Sequence, residues 1–142
     1  MSEIPREHFY ERLKDAPHAA RGFFESIAEH FERDNMVRPH YTDTNGGDLR
    51  LAIPGEVLGQ QRLRNFATMY WQTTNQVVFA RTYLTPDELA VLGFDQAVEP
   101  TSDSEPLNSD VRLEETVWRY GARDFIRALD MAKVKFLDAQ LT

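Results

Sequence analysis

The sequence predicts an α+β domain in which N-terminal helices and a long C-terminal helix pack against a four-stranded antiparallel meander sheet. Three observations predict this class: helical periodicity near both ends of the chain, two strand pairs joined by turn residues between them, and 42% apolar composition over 142 residues. A chain of this size buries about two thirds of its unfolded surface in one core. We therefore expect a single domain over residues 1–142.

The first 35 residues predict two helices separated by a proline-containing turn. Asp15 is suited to cap the second helix, and Pro17 is suited to its first turn. In that helix large apolar residues recur at intervals of three and four residues, namely Phe24, Ile27 and Phe31. This spacing predicts one buried helix face.

Two hairpins are predicted next. The first joins residues 37–44 to 48–53 through Asn45-Gly46-Gly47, because a tight primed turn needs positive φ at its central residues. The second joins 66–72 to 76–84, which are rich in aromatic and β-branched residues. Between the hairpins, 56–65 is polar enough for a loop or one helical turn.

Two further helices are predicted after the sheet. Thr85-Pro86-Asp87-Glu88 has the residues of a capping box with proline in the first turn, and Gly93 is expected to end this helix. Residues 114–141 predict a long amphipathic helix with one apolar stripe: Trp118, Ala122, Phe125, Leu129, Ala132, Phe136 and Ala139. We interpret the stripe as the main core helix; a dimeric coiled coil is the alternative. The protein is thus expected to be a monomer or a homodimer.

The negative charge of the chain is local. Nine carboxylates lie between Asp87 and Glu115, where Arg112 is the only basic residue, whereas the rest of the chain has 15 basic and 14 acidic residues. Residues 94–112 also contain two prolines and little to bury, so we expect a flexible acidic loop that is either functional or disordered. The acids predicted to meet a basic partner are Glu99, Asp103, Glu105 and Asp110.

No catalytic residue, metal site or cofactor is predicted. The chain has no cysteine, and its four histidines, at positions 8, 18, 30 and 40, are isolated from one another. No glycine-rich loop or nucleophile elbow is present in the sequence. Without cysteines, a signal peptide or a 20-residue apolar run, we expect a cytoplasmic protein that does not enter a membrane.

One face of the predicted sheet is a candidate ligand surface. Period-two alternation places Leu49, Leu51 and Ile53 toward the helices and Arg50 on the opposite face. The candidate ligand-binding residues are Arg38, His40, Arg50, Tyr70 and Arg81, and the same alternation places Arg81 with Val77, Phe79 and Tyr83. Arginines supply forked donors and a tyrosine supplies a stacking surface, so an anionic or planar ligand is suited to them. An ordinary solvated sheet face is the alternative.

The order of the predicted elements resembles that of small endonuclease-like domains. This order is a helix, an extended hairpin, the strand Phe66-Ala67-Thr68-Met69-Tyr70, a second strand and a terminal helix. These occur in bacterial proteins of unknown function, including those labelled predicted transport proteins. The resemblance covers residues 20–138 and implies an acid on one strand and an acid-x-Lys on the next, which hold a metal. Here the nearest match is Asp43 with Asp48-Leu49-Arg50, where arginine replaces the lysine.

The sequence therefore favours a non-enzymatic interaction protein, accessory, immunity-like or inhibitory, whose acidic residues 95–115 bind a basic partner. The alternative is a degenerate nuclease-fold domain or an anionic-ligand-binding protein that uses the sheet face. Nucleic acid is a less favoured partner, because the chain carries a net charge of −7.

Overall fold

A computed structural model describes residues 2–98 and 109–141. Its helices are α1 Arg6–Arg12, α2 His18–Glu32, α3 Gly55–Leu58, α4 Pro86–Val91, α5 Glu115–Tyr120 and α6 Ala122–Leu141. Its strands are β1 Glu3–Ile4, β2 Arg38–Thr42, β3 Asp48–Ile53, β4 Arg64–Gln72, β5 Val77–Thr82 and β6 Ser109–Leu113. The α+β class is confirmed.

The strands form one antiparallel sheet in the order β1-β2-β3-β4-β5-β6. The prediction of four strands is wrong in number, because the sheet has an additional strand at each edge. Strand β1 has only two residues, too few for a periodic pattern, and pairs Glu3 with Thr42. Strand β6 begins inside the stretch 94–112 that was predicted as a loop and ends one residue beyond it. Its Ser109, Val111 and Leu113 point to the buried side.

The first hairpin is confirmed, but its turn is longer than predicted. Strands β2 and β3 pair from Arg38–Ala52 to Thr42–Asp48, which leaves residues 43–47 in the connection. The φ angles of Asn45 and Gly46 are 56° and 79°, the positive values that the Asn-Gly sequence predicted. A short 3₁₀ turn over Thr44–Gly46 absorbs the additional residues.

The second hairpin is also confirmed, and strand β4 contains a bulge. Leu51 pairs with Ala67, whereas Ala52 pairs with Asn65, so Phe66 is left without a partner on β3. Phe66 and Ala67 are both buried as a result, where strict alternation would expose one of them. The bulge therefore turns an additional aromatic ring, Phe66, toward Phe31 of α2, with the ring centroids 6.0 Å apart.

All the helices that bury large side chains lie on one side of the sheet. Helices α1 and α2 contact β2, α6 contacts β4, and α5 contacts β5 and β6. The strand residues on this inner face form cross-strand rows, one of which is Tyr41, Leu49, Met69, Ala80 and Val111. All five belong to the hydrophobic core. Tyr83, predicted for the opposite face, lies just beyond β5 and packs on the helix side, 5.2 Å from Phe136.

Two helix boundaries differ from the predictions. Helix α2 begins at His18, and Pro17 is its N-cap without a side-chain cap, so Asp15 does not cap it. The helix predicted over 114–141 is divided at Gly121, whose backbone amide donates to the carbonyl of Val117. A Cβ at Gly121 would lie 3.1 Å from the Val117 backbone, so glycine permits this close turn.

The apolar stripe of the C-terminal helices packs in the core of this chain. Trp118, Phe125, Leu129, Ala132 and Phe136 are buried, whereas Ala122 is half-buried and Ala139 is exposed. The Phe125 ring lies 5.9 Å from that of Phe23 in α2 and 5.4 Å from that of Phe94, measured between ring centroids. In the described residues, no helix is long and apolar enough to cross a membrane.

Candidate functional site

The strand residues that point away from the helices form a polar surface, which we call the outer face. Strand register places them in two cross-strand rows. The first row is His40, Arg50, Thr68, Arg81 and Asp110. The second row is Thr42, Asp48, Tyr70, Phe79 and Arg112. The predicted residues Arg38, His40, Arg50, Tyr70 and Arg81 thus lie on one face of the sheet.

A buried ion pair lies near the centre of the outer face. The Asp48 side chain is fully buried, and that of Arg50 is 15% exposed. The Arg50 Nε donates to Asp48 Oδ1 over 3.2 Å, and its second terminal nitrogen donates to Oδ2 over 3.2 Å. The Thr42 hydroxyl donates to the same Oδ1 over 2.5 Å. A buried charge is costly unless it is paired, so Asp48 and Arg50 each require the other in the folded protein. We therefore interpret this ion pair as a structural feature of the outer face.

The other two predicted arginines also face carboxylates. Arg81 forms a forked pair with Asp110, in which Nε lies 2.7 Å from Oδ1. Its pKa is raised, mainly by this hydrogen bond. Arg38 lies 3.9 Å from the Glu3 carboxylate, and both side chains are exposed. An anionic ligand would therefore compete with carboxylates that already neutralise these arginines.

His40 is held between two polar side chains. Its Nδ1 lies 3.5 Å from Glu3 Oε1, and its Nε2 lies 2.9 Å from Asn65 Oδ1. The side chain is 12% exposed. Neither neighbour has a hydroxyl or thiol that the imidazole could deprotonate, so these two contacts fix the orientation of the ring.

An aromatic pair with a neighbouring cation lies at the β6 end of the outer face. The rings of Tyr70 and Phe79 are 5.3 Å apart at 31°, and Phe79 is paired across the strands with Arg112. Arg112 is exposed and makes no ion pair with another described residue. Next to Phe79 a depression of about 480 Å³ is also lined by Gln96 and Val98. Sequence reasoning missed Arg112 because its strand was predicted as a loop.

The acidic segment, residues 95–115, is only partly described. Three of its predicted partner-binding residues, Glu99, Asp103 and Glu105, lie outside the described residues. The fourth, Asp110, belongs to β6 and pairs with Arg81. Val98 and Asp110 exchange two backbone hydrogen bonds of 2.9 Å, so these two positions of the acidic segment lie side by side.

The two acids of the nuclease-like pattern are not arranged as metal ligands. Both carboxylate oxygens of Asp48 accept hydrogen bonds from Arg50 or Thr42, whereas the exposed Asp43 accepts one from the backbone amide of Ser2. In the part of the chain that the structure describes, no group of three or more His, Asp or Glu residues could hold a metal ion.

Comparison with known proteins gives no relative. No protein-family model, curated protein or solved structure matches this chain.

Proposed function

We propose that this protein is a non-enzymatic binding domain that recognises a basic protein partner through its acidic segment. The observation that carries the proposal is the backbone bridge between Val98 and Asp110. It brings Val98 and Asp110, two described residues of the acidic segment, together at one place on the surface. A concentrated charge attracts an oppositely charged partner over a longer range than scattered charges do.

Further acids lie close to this bridge in the chain. Asp95 and Glu114 are exposed, line the same groove of about 310 Å³, and pair with no cationic side chain among the described residues. Asp110 has a different part in the proposal, because its carboxylate is held by Arg81 and anchors the segment to the sheet. Glu99, Asp103, Glu105, Asp95 and Glu114 are then the proposed contacts with the partner.

Neutralisation of these five acids tests the proposal. The variant carries Asp95→Asn, Glu99→Gln, Asp103→Asn, Glu105→Gln and Glu114→Gln, and the partner is captured from the source lysate and identified. The control neutralises three exposed acids outside the segment, with Glu11→Gln, Glu56→Gln and Asp124→Asn. Since one exposed ion pair contributes about 0.2–1 kcal/mol, we expect the affinity to fall about tenfold or more in the test variant. The control should keep the wild-type affinity.

Ionic strength gives an independent measurement. The screening length falls from about 10 Å at 0.1 M salt to about 3 Å at 1 M, so the affinity and association rate should fall steeply over this range. An affinity that salt leaves unchanged, or that survives deletion of residues 99–109, would refute the proposed mode of binding.

A second candidate function is ligand binding on the outer face, favoured by the position of Arg112 across from Phe79, whose ring packs against that of Tyr70. Two rings and a cation without a carboxylate partner among the described residues suit a planar, electron-rich ligand. Single-stranded oligonucleotides are the probe. Binding that is lost in Tyr70→Ala and Arg112→Gln supports this function, whereas binding that both variants retain contradicts it.

The degenerate nuclease-fold alternative has its own test. DNA and RNA are incubated with the protein and Mg²⁺ or Mn²⁺, and nuclease activity requires that they are cleaved.

A further inference from the structure

A cationic groove lies between α2 and α6, on the helix side of the sheet. Its volume is about 550 Å³, and its lining includes Ser26, His30, Arg123, Ile126, Arg127 and Asp130. Two arginines and a histidine thus share the groove with one carboxylate, although the whole chain carries a net charge of −7. The groove therefore concentrates positive charge at one place on an acidic protein.

Both arginines of the groove lack a carboxylate partner among the described residues. Arg123 and Arg127 are exposed, and neither forms an ion pair with another described side chain. Asp124 and Asp130 lie three residues to either side of Arg127 on α6, a spacing at which helix side chains can pair. Neither acid pairs with Arg127 here. The forked donors of both arginines are therefore available to an anion.

The His30 ring holds the one carboxylate of the groove. Its Nε2 lies 3.1 Å from Oδ1 and 3.0 Å from Oδ2 of Asp130. This contact joins α2 to α6, and it keeps the Asp130 carboxylate on His30 instead of on Arg127. One turn before His30 on α2, Ser26 is exposed, and its hydroxyl makes no hydrogen bond to another described residue. The α2 wall thus supplies a hydroxyl donor opposite the arginines of α6.

We propose that the groove between α2 and α6 binds the phosphate group of a small phosphate monoester. Such a group carries a charge of about −1.5 to −2 at pH 7 and has three strong acceptor oxygens. An arginine fork bonds phosphate oxygens in pairs, and the Ser26 hydroxyl can donate to a further oxygen. A carboxylate has two oxygens and a single charge, so it satisfies fewer of these donors.

The rest of the groove suits the organic part of such a ligand. Ala122 and Ile126 are half-buried and supply apolar surface beside the arginines. A volume of about 550 Å³ falls within the range of about 300–1,000 Å³ that is usual for small-molecule pockets, so we assign a small molecule. The site shares no residue with the acidic segment, so this inference does not depend on the proposed function.

Titration of the intact chain with phenyl phosphate, followed by NMR of the backbone amides, tests the proposal. We expect saturable shifts confined to α2, α6 and the adjoining turn at Gly121. The double variant Arg123→Gln/Arg127→Gln should bind about tenfold more weakly or worse, because charge-assisted hydrogen bonds are lost. The control Arg33→Gln/Arg62→Gln removes two exposed arginines outside the groove and should bind as the wild type does.

Three comparisons make the test specific. Arg127→Lys keeps the charge but loses the fork, so it should bind several-fold more weakly; it also replaces the double variant if that one fails to fold. Benzoate, which has the same ring with a carboxylate, should bind more weakly than phenyl phosphate. A phosphotyrosine peptide should bind no more tightly than phenyl phosphate.

Several results would overturn the proposal. They are shifts that rise linearly over the whole surface, equal weakening in the test and control variants, unchanged binding by Arg127→Lys, and equal binding of both anions. Tighter binding of the peptide would overturn the assignment to a small molecule. None of these measurements requires a protein partner, so their failure is distinct from a failure of the acidic-segment proposal.

Discussion

Removal of the Asp48 carboxylate should destabilise the protein strongly. In Asp48→Ala, the Arg50 guanidinium, in a side chain only 15% exposed, loses its counter-charge, and the buried Thr42 hydroxyl loses its acceptor. Breaking a buried ion pair by removing one partner costs about 3–5 kcal/mol. Because a domain has a total stability of about 5–15 kcal/mol, this is a large fraction of the whole. We expect a melting temperature lower by about 10 °C or more.

A graded series separates the two interactions. Asp48→Asn keeps an oxygen that can accept a hydrogen bond from Thr42 but loses the charge that holds Arg50. Its free energy of unfolding should therefore lie between those of the wild type and Asp48→Ala. Asp43→Asn, an exposed change in the same turn, is the control and should stay within about 0.5 kcal/mol. Urea unfolding followed by circular dichroism measures all three. If Asp48→Ala is no less stable than Asp43→Asn, the ion pair does not contribute as the geometry indicates.

Three further changes test other parts of the fold. Phe125→Ala should lower the free energy of unfolding by about 3–5 kcal/mol, because the ring is fully buried. Val134→Ala, at an exposed position, should leave thermal unfolding nearly unchanged. Equal effects of the two changes would contradict the assignment of Phe125 to the core. Thr85→Ala should cost about 1 kcal/mol, because the Thr85 hydroxyl accepts from the Glu88 amide in a complete capping box; an unchanged urea midpoint would contradict this. Burial opposes ionisation of Asp34, but hydrogen bonds from Lys133 and the Met36 amide outweigh it and lower its pKa. The stability from Asp34 is therefore present above its unfolded pKa of about 3.9 and is lost as the pH falls through the lower folded pKa. Asp34→Asn should flatten the acid limb of a plot of stability against pH below about pH 4, and an unaltered limb would be the contrary result.

Local sequence signals predicted the two central hairpins and the capping box, because each depends on a few neighbouring residues. Asn45-Gly46 supplies the positive φ angles, and Thr85 and Glu88 supply the two reciprocal cap bonds. The edge strands depend on tertiary pairing instead. Strand β1 exists because Glu3 and Ile4 pair with β2. In β6, three alternating buried positions are too few to outweigh the polar composition around them.

The sequence predicted which residues lie on the outer face, but it did not predict which carboxylates pair with them. Period-two alternation is sufficient to place Arg38, His40, Arg50, Tyr70 and Arg81 on one side of a sheet. The partners of these residues depend on strand register, which the sequence does not specify. Asp110 meets Arg81 only because β6 pairs with β5. The burial of Asp48 likewise results from the packing of the whole sheet.

The pairing of charges on the outer face also decides how the two candidate functions respond to salt. Arg38, Arg50 and Arg81 each face a carboxylate, so this surface has little uncompensated charge to attract an ion from a distance. Ligand binding there would depend on stacking against Tyr70 and Phe79 and on the one cation Arg112, so it should weaken less with salt than binding driven by several charges. Under the proposed function, binding at the acidic segment would depend on uncompensated charge and should therefore be steeply salt-dependent. A partner whose affinity persists at high salt would therefore contradict binding at the acidic segment, even if that partner is itself basic.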